Sequence, residues 1–461
     1  MNVRTWLLVI TVALLSACDA QEASPILVTS TAARVAQSAS ATPTLVPSEA
    51  TALPTRTPIA GDGSFIGSVL EPNRPIPSNI PALPTLTPTP EGAATATLVP
   101  TATPAIAVPT LDKAQMGIQV YYNMGVEDFT QVLWLAQQID VGWVKFQVDW
   151  SFFQPNSPDE DADIMRAFVL YVQGAKNGGF KTLLSVAKAP NWARNSNQTE
   201  DGPPDDPQAL GRFLARLLEQ IKPENVDAIE IWNEPNLLRE WYGALPFSGA
   251  GYMQLFRPTY DAIKAISPNI HVITAGLAPT SNTAGSLDDR VFLQQMYDEG
   301  LANYPDVSVG VHPYSWGNAA DAVCCNAVEG RDWDDNPRFF FLDTLNDTRA
   351  IMERNNHAMA QMWVTEFGWA TWEGFPNEAP EFWMTYNSAL QQAEYTLRAF
   401  EIGAQREDVG LMVLWNLNFA NQTLIEARSE MAAYSLLAPN LTGQGEPLIV
   451  RPLYRALENR R

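Results

Sequence analysis

Residues 228–237 read AIEIWNEPNL, a short apolar run that meets an Asn-Glu-Pro turn. Strands that are apolar almost throughout are typical of a parallel sheet that is covered on both faces. Glutamate is a poor strand former, and burying its carboxylate without a partner is costly. The segment therefore predicts a buried parallel strand whose last residues carry a carboxylate, Glu234, that needs either a partner or a chemical task.

The same succession of an apolar run and an amphipathic stretch recurs over residues 112–461, in eight rounds. The predicted strands are 116–122, 143–150, 181–188, 228–234, 271–279, 307–314, 362–370 and 411–417. Helical patterns between them include 127–139, 163–179, 207–221 and 337–356, and a Ser286/Asp289 pattern predicts a helix cap. Eight such rounds predict an α/β fold of the (β/α)8 TIM-barrel type. A doubly wound open sheet is the alternative, but no Gly-rich phosphate loop follows the first strand.

The N-terminus reads MNVRTWLLVITVALLSAC, with one arginine, an apolar run over residues 6–15, and small residues up to Cys18. That run is too short to span a bilayer, and its flanks are those of an export signal. Residues 15–18 resemble a bacterial lipobox, which implies removal of residues 1–17 as a lipoprotein signal peptide and lipidation of Cys18. An ordinary cleaved signal peptide is the alternative. We expect an extracytoplasmic protein, membrane-anchored through Cys18 or secreted if that thiol is not lipidated.

Residues 18–110 are dominated by Ala, Thr, Pro and Ser and show no sustained hydrophobic period. Such a segment cannot bury enough apolar surface to offset the entropy lost on ordering. Proline keeps it extended, as in a semi-rigid spacer. We therefore predict a disordered tether that holds the catalytic domain, residues 111–461, away from a membrane.

The chain has 51 acidic residues against 29 Lys and Arg, a net charge of −22. This balance argues against nucleic acid as a partner, because phosphate binding needs clustered basic residues. Besides Cys18, the chain has only the adjacent pair Cys324 and Cys325, for which we expect two thiols, with a vicinal disulfide as the alternative. Three histidines and no Cys-x-x-Cys spacing predict no zinc site.

In a TIM barrel the active site lies at the carboxyl ends of the strands. The predicted fourth strand ends in Trp232-Asn233-Glu234-Pro235-Asn236, and the seventh ends in Thr365-Glu366-Phe367-Gly368-Trp369. These strands face each other across the barrel mouth, so Glu234 and Glu366 should converge there. Two carboxylates that flank a glycosidic bond can divide hydrolysis between a proton donor and a nucleophile.

Both strand ends resemble those of the glycoside hydrolases of clan A, and the resemblance covers roughly residues 112–461. In that clan the acid/base Glu follows an Asn at the end of strand four, and the nucleophile Glu ends strand seven. The resemblance implies that Glu234 is the acid/base and Glu366 the nucleophile of a retaining mechanism that needs no cofactor. Ala189-Pro190-Asn191-Trp192 is similar to the β-xylosidase and α-iduronidase family, whereas the seventh strand end is similar to cellulase family five, so the subfamily stays open.

The resemblance also implies substrate contacts around the two glutamates. Asn233 would hydrogen-bond a sugar 2-hydroxyl. His312 and Tyr314, which end strand six, are further candidate substrate contacts, and Tyr314 could also donate to Glu366. Three tryptophans are candidates for stacking on sugar rings, namely Trp415, Trp192 and Trp369. A core role is the alternative for the histidine, the tyrosine and each tryptophan, and a structural ion pair is the alternative for each glutamate.

The sequence therefore predicts a glycosidase that cleaves β-linked O-glycosidic bonds in oligo- or polysaccharides by a two-glutamate double displacement. The alternative is a barrel without activity that serves as a carbohydrate-binding surface lipoprotein. Phosphate-loop, serine-elbow and metal-dependent hydrolase motifs do not occur in the chain. The oligomeric state, the sugar and the linkage are not predicted.

Overall fold

The computed structural model describes residues 111–194, 200–325, 331, 333–441 and 448–460. Eight parallel strands form a closed barrel in which β8 pairs with β1. They are β1 (Met116–Gln119), β2 (Trp143–Asp149), β3 (Lys181–Ala187), β4 (Ala228–Ile231), β5 (His271–Thr274), β6 (Val307–Val311), β7 (Met362–Phe367) and β8 (Val409–Leu414). The closed barrel confirms the predicted TIM-barrel fold and excludes the open-sheet alternative. The predicted signal peptide, Cys18 and the tether lie outside the described residues.

Helices follow the strands and cover the outside of the barrel. In chain order they are α1 (Val126–Gln138), α2 (Trp150–Phe153), α3 (Asp163–Asn177), α4 (Ala209–Ile221), α5 (Gly249–Ile266), α6 (Asp289–Asp298), α7 (Phe341–Arg354), α8 (Ala389–Ala404), α9 (Gln422–Glu426), α10 (Glu430–Tyr434) and α11 (Pro452–Glu458). Among the described residues, no helix combines the length and the apolar character needed to cross a membrane.

The predicted cap of α6 was wrong. Asp288 caps this helix, because its Oδ1 accepts from the N–H groups of Arg290 at 3.0 Å and Val291 at 3.2 Å. Ser286 lies too far upstream and instead donates its hydroxyl to the carbonyl of Ser281 at 2.9 Å. Two candidate capping side chains within three residues made the sequence pattern ambiguous.

The barrel interior is layered, and the layers follow the two-residue period of the strands. An apolar layer fills the lower part, formed by Trp143, Leu183, Ala228, Ile273, Trp363, Leu411 and Val413. Two residues further along their strands come Lys145, Glu230 and Thr365, all fully buried. The interior therefore changes from apolar to charged as the strands approach their carboxyl ends.

Strand β7 is irregular where it carries Glu366. The pairing of β7 with β8 shifts register between Val364 and Phe367. Regular alternation would send Thr365 and Glu366 to opposite faces of the sheet, whereas a register shift re-aims a side chain. The Glu366 side chain thereby reaches Lys145 Nζ, which also donates to the backbone carbonyl of Thr365.

The C-terminal segment completes the outer layer of the barrel. Strands β9 (Leu437–Pro439) and β10 (Leu448–Val450) pair antiparallel, and α11 packs against α8. The Tyr454 hydroxyl donates to the Leu135 carbonyl in α1 at 3.0 Å. The buried Arg451 guanidinium donates to the carbonyls of Ser435 at 3.1 Å and Thr371 at 2.9 Å. The C-terminal segment therefore packs against the first and the last helix of the barrel, α1 and α8.

Cys324 and Cys325 lie on the connection between β6 and α7, where they form a vicinal disulfide. The structure thus adopts the alternative to the two thiols that the sequence favoured.

Candidate active site

Glu234 stands on a turn that departs sharply from β4. Trp232 and Glu234 have φ angles of 75° and 41°, in the left-handed region that non-glycine residues rarely adopt. The Glu234 N–H donates to the Gly276 carbonyl at 3.1 Å, which helps to hold this conformation. Such strained residues concentrate at functional sites, and here the turn leaves the Glu234 side chain fully buried.

His312, which follows β6, holds the Glu234 carboxylate from one side. Its Nδ1 lies 3.0 Å from Glu234 Oε1, and its Nε2 lies 3.1 Å from the Thr365 hydroxyl. The ring fits only because residue 276 is glycine, since a Cβ there would lie 2.2 Å from the His312 ring. The glycine that follows β5 therefore leaves space for the His312 side chain, which follows β6.

The charge of His312 follows from the carboxylates around it. Burial alone would lower its pKa, but the carboxylates of Glu366, Glu230 and Glu234 outweigh burial and raise the pKa to about 9. His312 is therefore a cation near neutral pH, with both ring nitrogens available as donors.

Glu366 is held from two sides by hydrogen-bond donors. Lys145 Nζ donates to Glu366 Oε1 at 2.9 Å, and the Tyr314 hydroxyl donates to Oε2 at 3.0 Å. Lys145 and Tyr314 are both buried, so water competes little for these bonds. This setting holds the Glu366 carboxylate in a fixed orientation.

The two predicted glutamates converge over the barrel mouth, as the facing strand ends required. One carboxylate oxygen of Glu234, one of Glu366 and a ring nitrogen of His312 all lie within 4.8 Å of one another. Such a trio could hold a metal in another setting. Here, however, the cationic His312 would have to lose its proton to act as a ligand. In addition, the Glu366 carboxylate already forms an ion pair with the Lys145 ammonium. The site thus suits chemistry between two carboxylates better than metal binding.

Two charged residues of this site, Lys145 and Glu230, were missed by the sequence analysis. Lys145 Nζ lies 3.2 Å from Glu230 Oε2, and both side chains are fully buried. The signal was present, because each is a charged residue flanked by apolar ones inside a strand that is buried on both faces. Both lie within β2 and β4, whereas the sequence predicts active-site residues at the strand ends.

A second charged cluster at the carboxyl ends of β2 and β3 was also missed. Lys188 Nζ lies 3.1 Å from Asp201 Oδ2 and 3.9 Å from Asp149 Oδ2. Burial raises the pKa of the nearby Glu240 to about 7, with the Asp201 and Glu234 carboxylates adding to the effect and Lys188 and Arg239 opposing it. These groups lie on or beyond strand ends, but their convergence depends on loop conformations that the sequence does not reveal.

The remaining predicted residues lie in different surroundings. Asn233 is buried directly before Glu234. The Trp415 ring lies 6.2 Å from that of Tyr314, within the aromatic layer at the barrel mouth. Trp192 is half-buried, stands edge-on to Trp150 at 5.5 Å, and donates its N–H to the Gln154 carbonyl.

Trp369, by contrast, is placed in the main hydrophobic core. Its ring is 1% exposed and packs against Phe341 and Tyr395 of the surrounding helices. Its indole N–H donates to the Asn318 carbonyl at 2.7 Å. The structure thus gives Trp369 the core role that was the alternative to sugar stacking.

Comparisons with known proteins agree with this architecture. A family model described as "Cellulase (glycosyl hydrolase family 5)" matches residues 111–420. The chain resembles a family 39 glycoside hydrolase from Bacteroides cellulosilyticus WH2, at 17% identity and a TM-score of 0.55, over 75% of this chain and 63% of that one. It also resembles a glucosidase from Croceicoccus marinus, at 12% identity and a TM-score of 0.51, over 77% of this chain and 68% of that one.

At these identities the structural likeness shows the fold alone. The chain spans less than two thirds of the length of the family 39 structure that it matches. A comparison with curated protein sequences found no match.

Proposed function

Because the chain belongs to glycosyl hydrolase family 5, we propose that it is a glycosidase that hydrolyses β-linked glycosidic bonds with retention of configuration. The observation that carries this proposal is the distance between carboxylate oxygens of Glu234 and Glu366, which is within 4.8 Å. Retaining enzymes hold their carboxyl groups about 5–5.5 Å apart, whereas inverting enzymes need about 6.5–9.5 Å to admit a water. The short distance favours direct attack by one carboxylate on the sugar.

Glu366 is the proposed nucleophile. Its carboxylate attacks the anomeric carbon, the bond to the leaving oxygen breaks, and a glycosyl ester forms on Glu366. The Lys145 ammonium and the Tyr314 hydroxyl support this role, because their hydrogen bonds hold the carboxylate aligned before attack.

Glu234 is the proposed acid/base. Its protonated form gives its proton to the leaving oxygen in the first step, and its carboxylate then takes a proton from the water that cleaves the ester. The bond from His312 Nδ1 to Glu234 Oε1 supports this role, since it orients one carboxylate oxygen, while the other, Oε2, lies 3.7 Å from the Arg239 guanidinium.

We assign the sugar contacts to residues beside this pair. Asn233 would donate to the 2-hydroxyl, a bond that strengthens as the oxocarbenium-like transition state forms. Trp415, next to Tyr314 in the aromatic layer, would form the floor under the sugar ring. Oligo- or polysaccharides with β-linkages are the proposed substrate class, and the family match supports the cellulase-like alternative over the xylosidase-like one.

The cellular setting is also a proposal. The export signal and the Cys18 lipobox support an extracytoplasmic enzyme that is anchored by a lipid and held off the membrane by the tether. Radiolabelled fatty acid should be incorporated into the protein, and the protein should be recovered in the membrane fraction. Cys18→Ser should abolish both, and a labelled or membrane-bound Cys18→Ser protein would contradict the anchor.

The central test of the mechanism is Glu366→Ala on an aryl β-glycoside. We expect turnover to be lost and then restored by azide, with a glycosyl azide of inverted configuration as the product. The matched control is Glu378→Ala, which removes an exposed carboxylate on the connection that follows β7 and should leave activity unchanged. Full activity of Glu366→Ala would refute the assignment.

The acid/base role needs a different readout. Glu234→Ala should hydrolyse unactivated oligosaccharides far more slowly, yet keep much of its first-step rate on an aryl glycoside whose leaving group needs no proton. Equal losses on both substrates would contradict the role. A panel of β-glycosides and polysaccharides, tested for release and for binding, would identify the substrate, and binding without release by the wild type would favour the inactive alternative.

A further inference from the structure

The buried carboxylate of Glu230 contacts neither the barrel mouth nor solvent, yet both proposed catalytic glutamates connect to it. We propose that Glu230 is a positioning residue that sets the orientation of Glu366 and Glu234 together, through one chain of contacts to each. This inference rests on the proposed function, because it assumes that the two glutamates carry the reaction.

The chain of contacts to the nucleophile runs through Lys145. The Lys145 ammonium lies 3.2 Å from Glu230 Oε2 and donates to Glu366 Oε1 at 2.9 Å. The ammonium also donates to the Thr365 carbonyl at 3.1 Å. Because Lys145 is fully buried and paired with both carboxylates, the position of Glu230 determines where the ammonium meets Glu366.

The chain of contacts to the acid/base runs through a hydroxyl and an imidazole. Thr365 donates its hydroxyl to Glu230 Oε1 at 2.5 Å, and the same hydroxyl oxygen lies 3.1 Å from His312 Nε2. His312 Nδ1 then reaches Glu234 Oε1 at 3.0 Å. A hydroxyl that donates to Glu230 can only accept from His312, so Glu230 fixes a ring N–H at Nε2 and orients the imidazole.

A backbone path runs parallel to this one. Glu230 Oε1 also accepts the Gly276 N–H at 3.0 Å, and the Gly276 carbonyl accepts the Glu234 N–H at 3.1 Å. One buried oxygen therefore supports both the side chain and the backbone of Glu234. Contacts of this kind, which bind no substrate, are the ones that hold a catalytic geometry within the narrow tolerance that it needs.

Glu230 can perform this task because it stays ionised. Burial would raise its pKa, but Lys145, His312 and the Thr365 hydroxyl together lower it to about 2. Removing its charge should therefore act on His312, whose pKa depends on three carboxylates. The charged and titratable groups around His312 are Glu230 and Glu234 from the β4 side, Glu366 and Lys145 across the barrel, and Tyr314 on its own segment.

The test is Glu230→Gln, which keeps the shape and removes the charge. Since general acid–base catalysis contributes about 10²–10⁴-fold in total, we expect loss of this support to lower kcat by about tenfold, with KM nearly unchanged. The alkaline limb of the kcat/KM profile should move to lower pH, because His312 loses its proton more readily without the Glu230 charge, and a neutral His312 with its N–H at Nε2 no longer donates to Glu234 Oε1. The matched control is Asp289→Asn, a buried ion-paired carboxylate on α6, which should leave the profile unchanged.

Thr365→Val provides a second variant in case Glu230→Gln does not fold. It removes only the hydroxyl between Glu230 and His312, so it should move the alkaline limb in the same direction and leave the Lys145 contacts intact. A purely structural role of Glu230 would lower the Tm and reduce activity equally at all pH values. Profiles that superimpose on the wild type in the folded variants would overturn the inference.

These outcomes separate the inference from the proposed function. If Glu366→Ala is rescued by azide while the Glu230→Gln profile is unchanged, only the positioning role fails. If Glu366→Ala keeps full activity, the proposed function fails, and the positioning role fails with it.

Discussion

Replacing Lys145 with methionine should destabilise the barrel far more than removing an exposed lysine. The change leaves the Glu230 and Glu366 carboxylates buried and facing each other without the ammonium between them. Removing one partner of a buried pair typically costs about 3–5 kcal/mol. The pKa of Glu230 gives a similar figure, because a fall from 4.5 to about 2 corresponds to about 3 kcal/mol, with Lys145 the largest favourable cause.

The expected change in Tm follows from the size of the domain. The Tm of a large domain falls by about 2 °C for each kcal/mol of lost stability, so Lys145→Met should lower the Tm by roughly 6–10 °C at neutral pH. A carboxylate with a lowered pKa stabilises the fold above its unfolded pKa, and this stability is lost as the pH falls through the folded value. The deficit of the variant should therefore be full near pH 7 and smaller near about pH 3.5, where Glu230 can take up a proton.

Thermal unfolding of both proteins at the two pH values measures this difference. The matched control is Lys113→Met, which breaks an exposed ion pair with Asp140 and should change stability by less than about 1 kcal/mol. A Lys145→Met protein that melts within about 2 °C of the wild type at neutral pH would refute the reasoning. An equal deficit at both pH values would show that lost packing, rather than charge, is the cause.

Three further substitutions test the geometry of the site. Gly276→Ala should displace the His312 ring, which lowers kcat, and overpacking should cost about 1–3 kcal/mol of stability. Wild-type kcat and stability would contradict the close approach of His312 to residue 276. Tyr314→Phe removes a bond to a charged group worth about 1.5–3 kcal/mol, so kcat should fall about 10- to 150-fold, and an unchanged kcat would exclude the contact. Trp415→Phe should raise KM by about 2- to 12-fold with kcat nearly constant, and an unchanged KM would show that this ring is not the sugar floor.

The barrel was predictable because its strands are continuous apolar runs, and each predicted strand overlaps an observed one. The predictions extended too far at the carboxyl ends, since β4 ends at Ile231 and β5 at Thr274. The chain leaves the sheet at these points, although its residues stay apolar. Local composition reports burial, and the residues beyond the strand ends are also buried, so composition alone does not reveal where pairing stops.

The convergence of Glu234, His312, Tyr314 and Glu366 was predictable from strand order, because the carboxyl ends of parallel barrel strands meet at one face. The placement of Trp369 was not, because the register shift before Phe367 breaks the two-residue alternation by which a side chain is assigned to a face. Pairing irregularities depend on the neighbouring strand, so a single strand read alone does not show them.

The family match ends at residue 420, but the folded unit continues beyond it. Tyr434 lies outside the match, and its ring stands 5.6 Å from Tyr314 and 4.9 Å from Trp415. A protein shortened at residue 420 would lose this wall behind the tyrosine that holds Glu366, together with the Arg451 bonds and the α11 cover over α8. Anyone trimming, fusing or exchanging this domain should therefore carry the chain through α11, even for experiments that concern only the two glutamates.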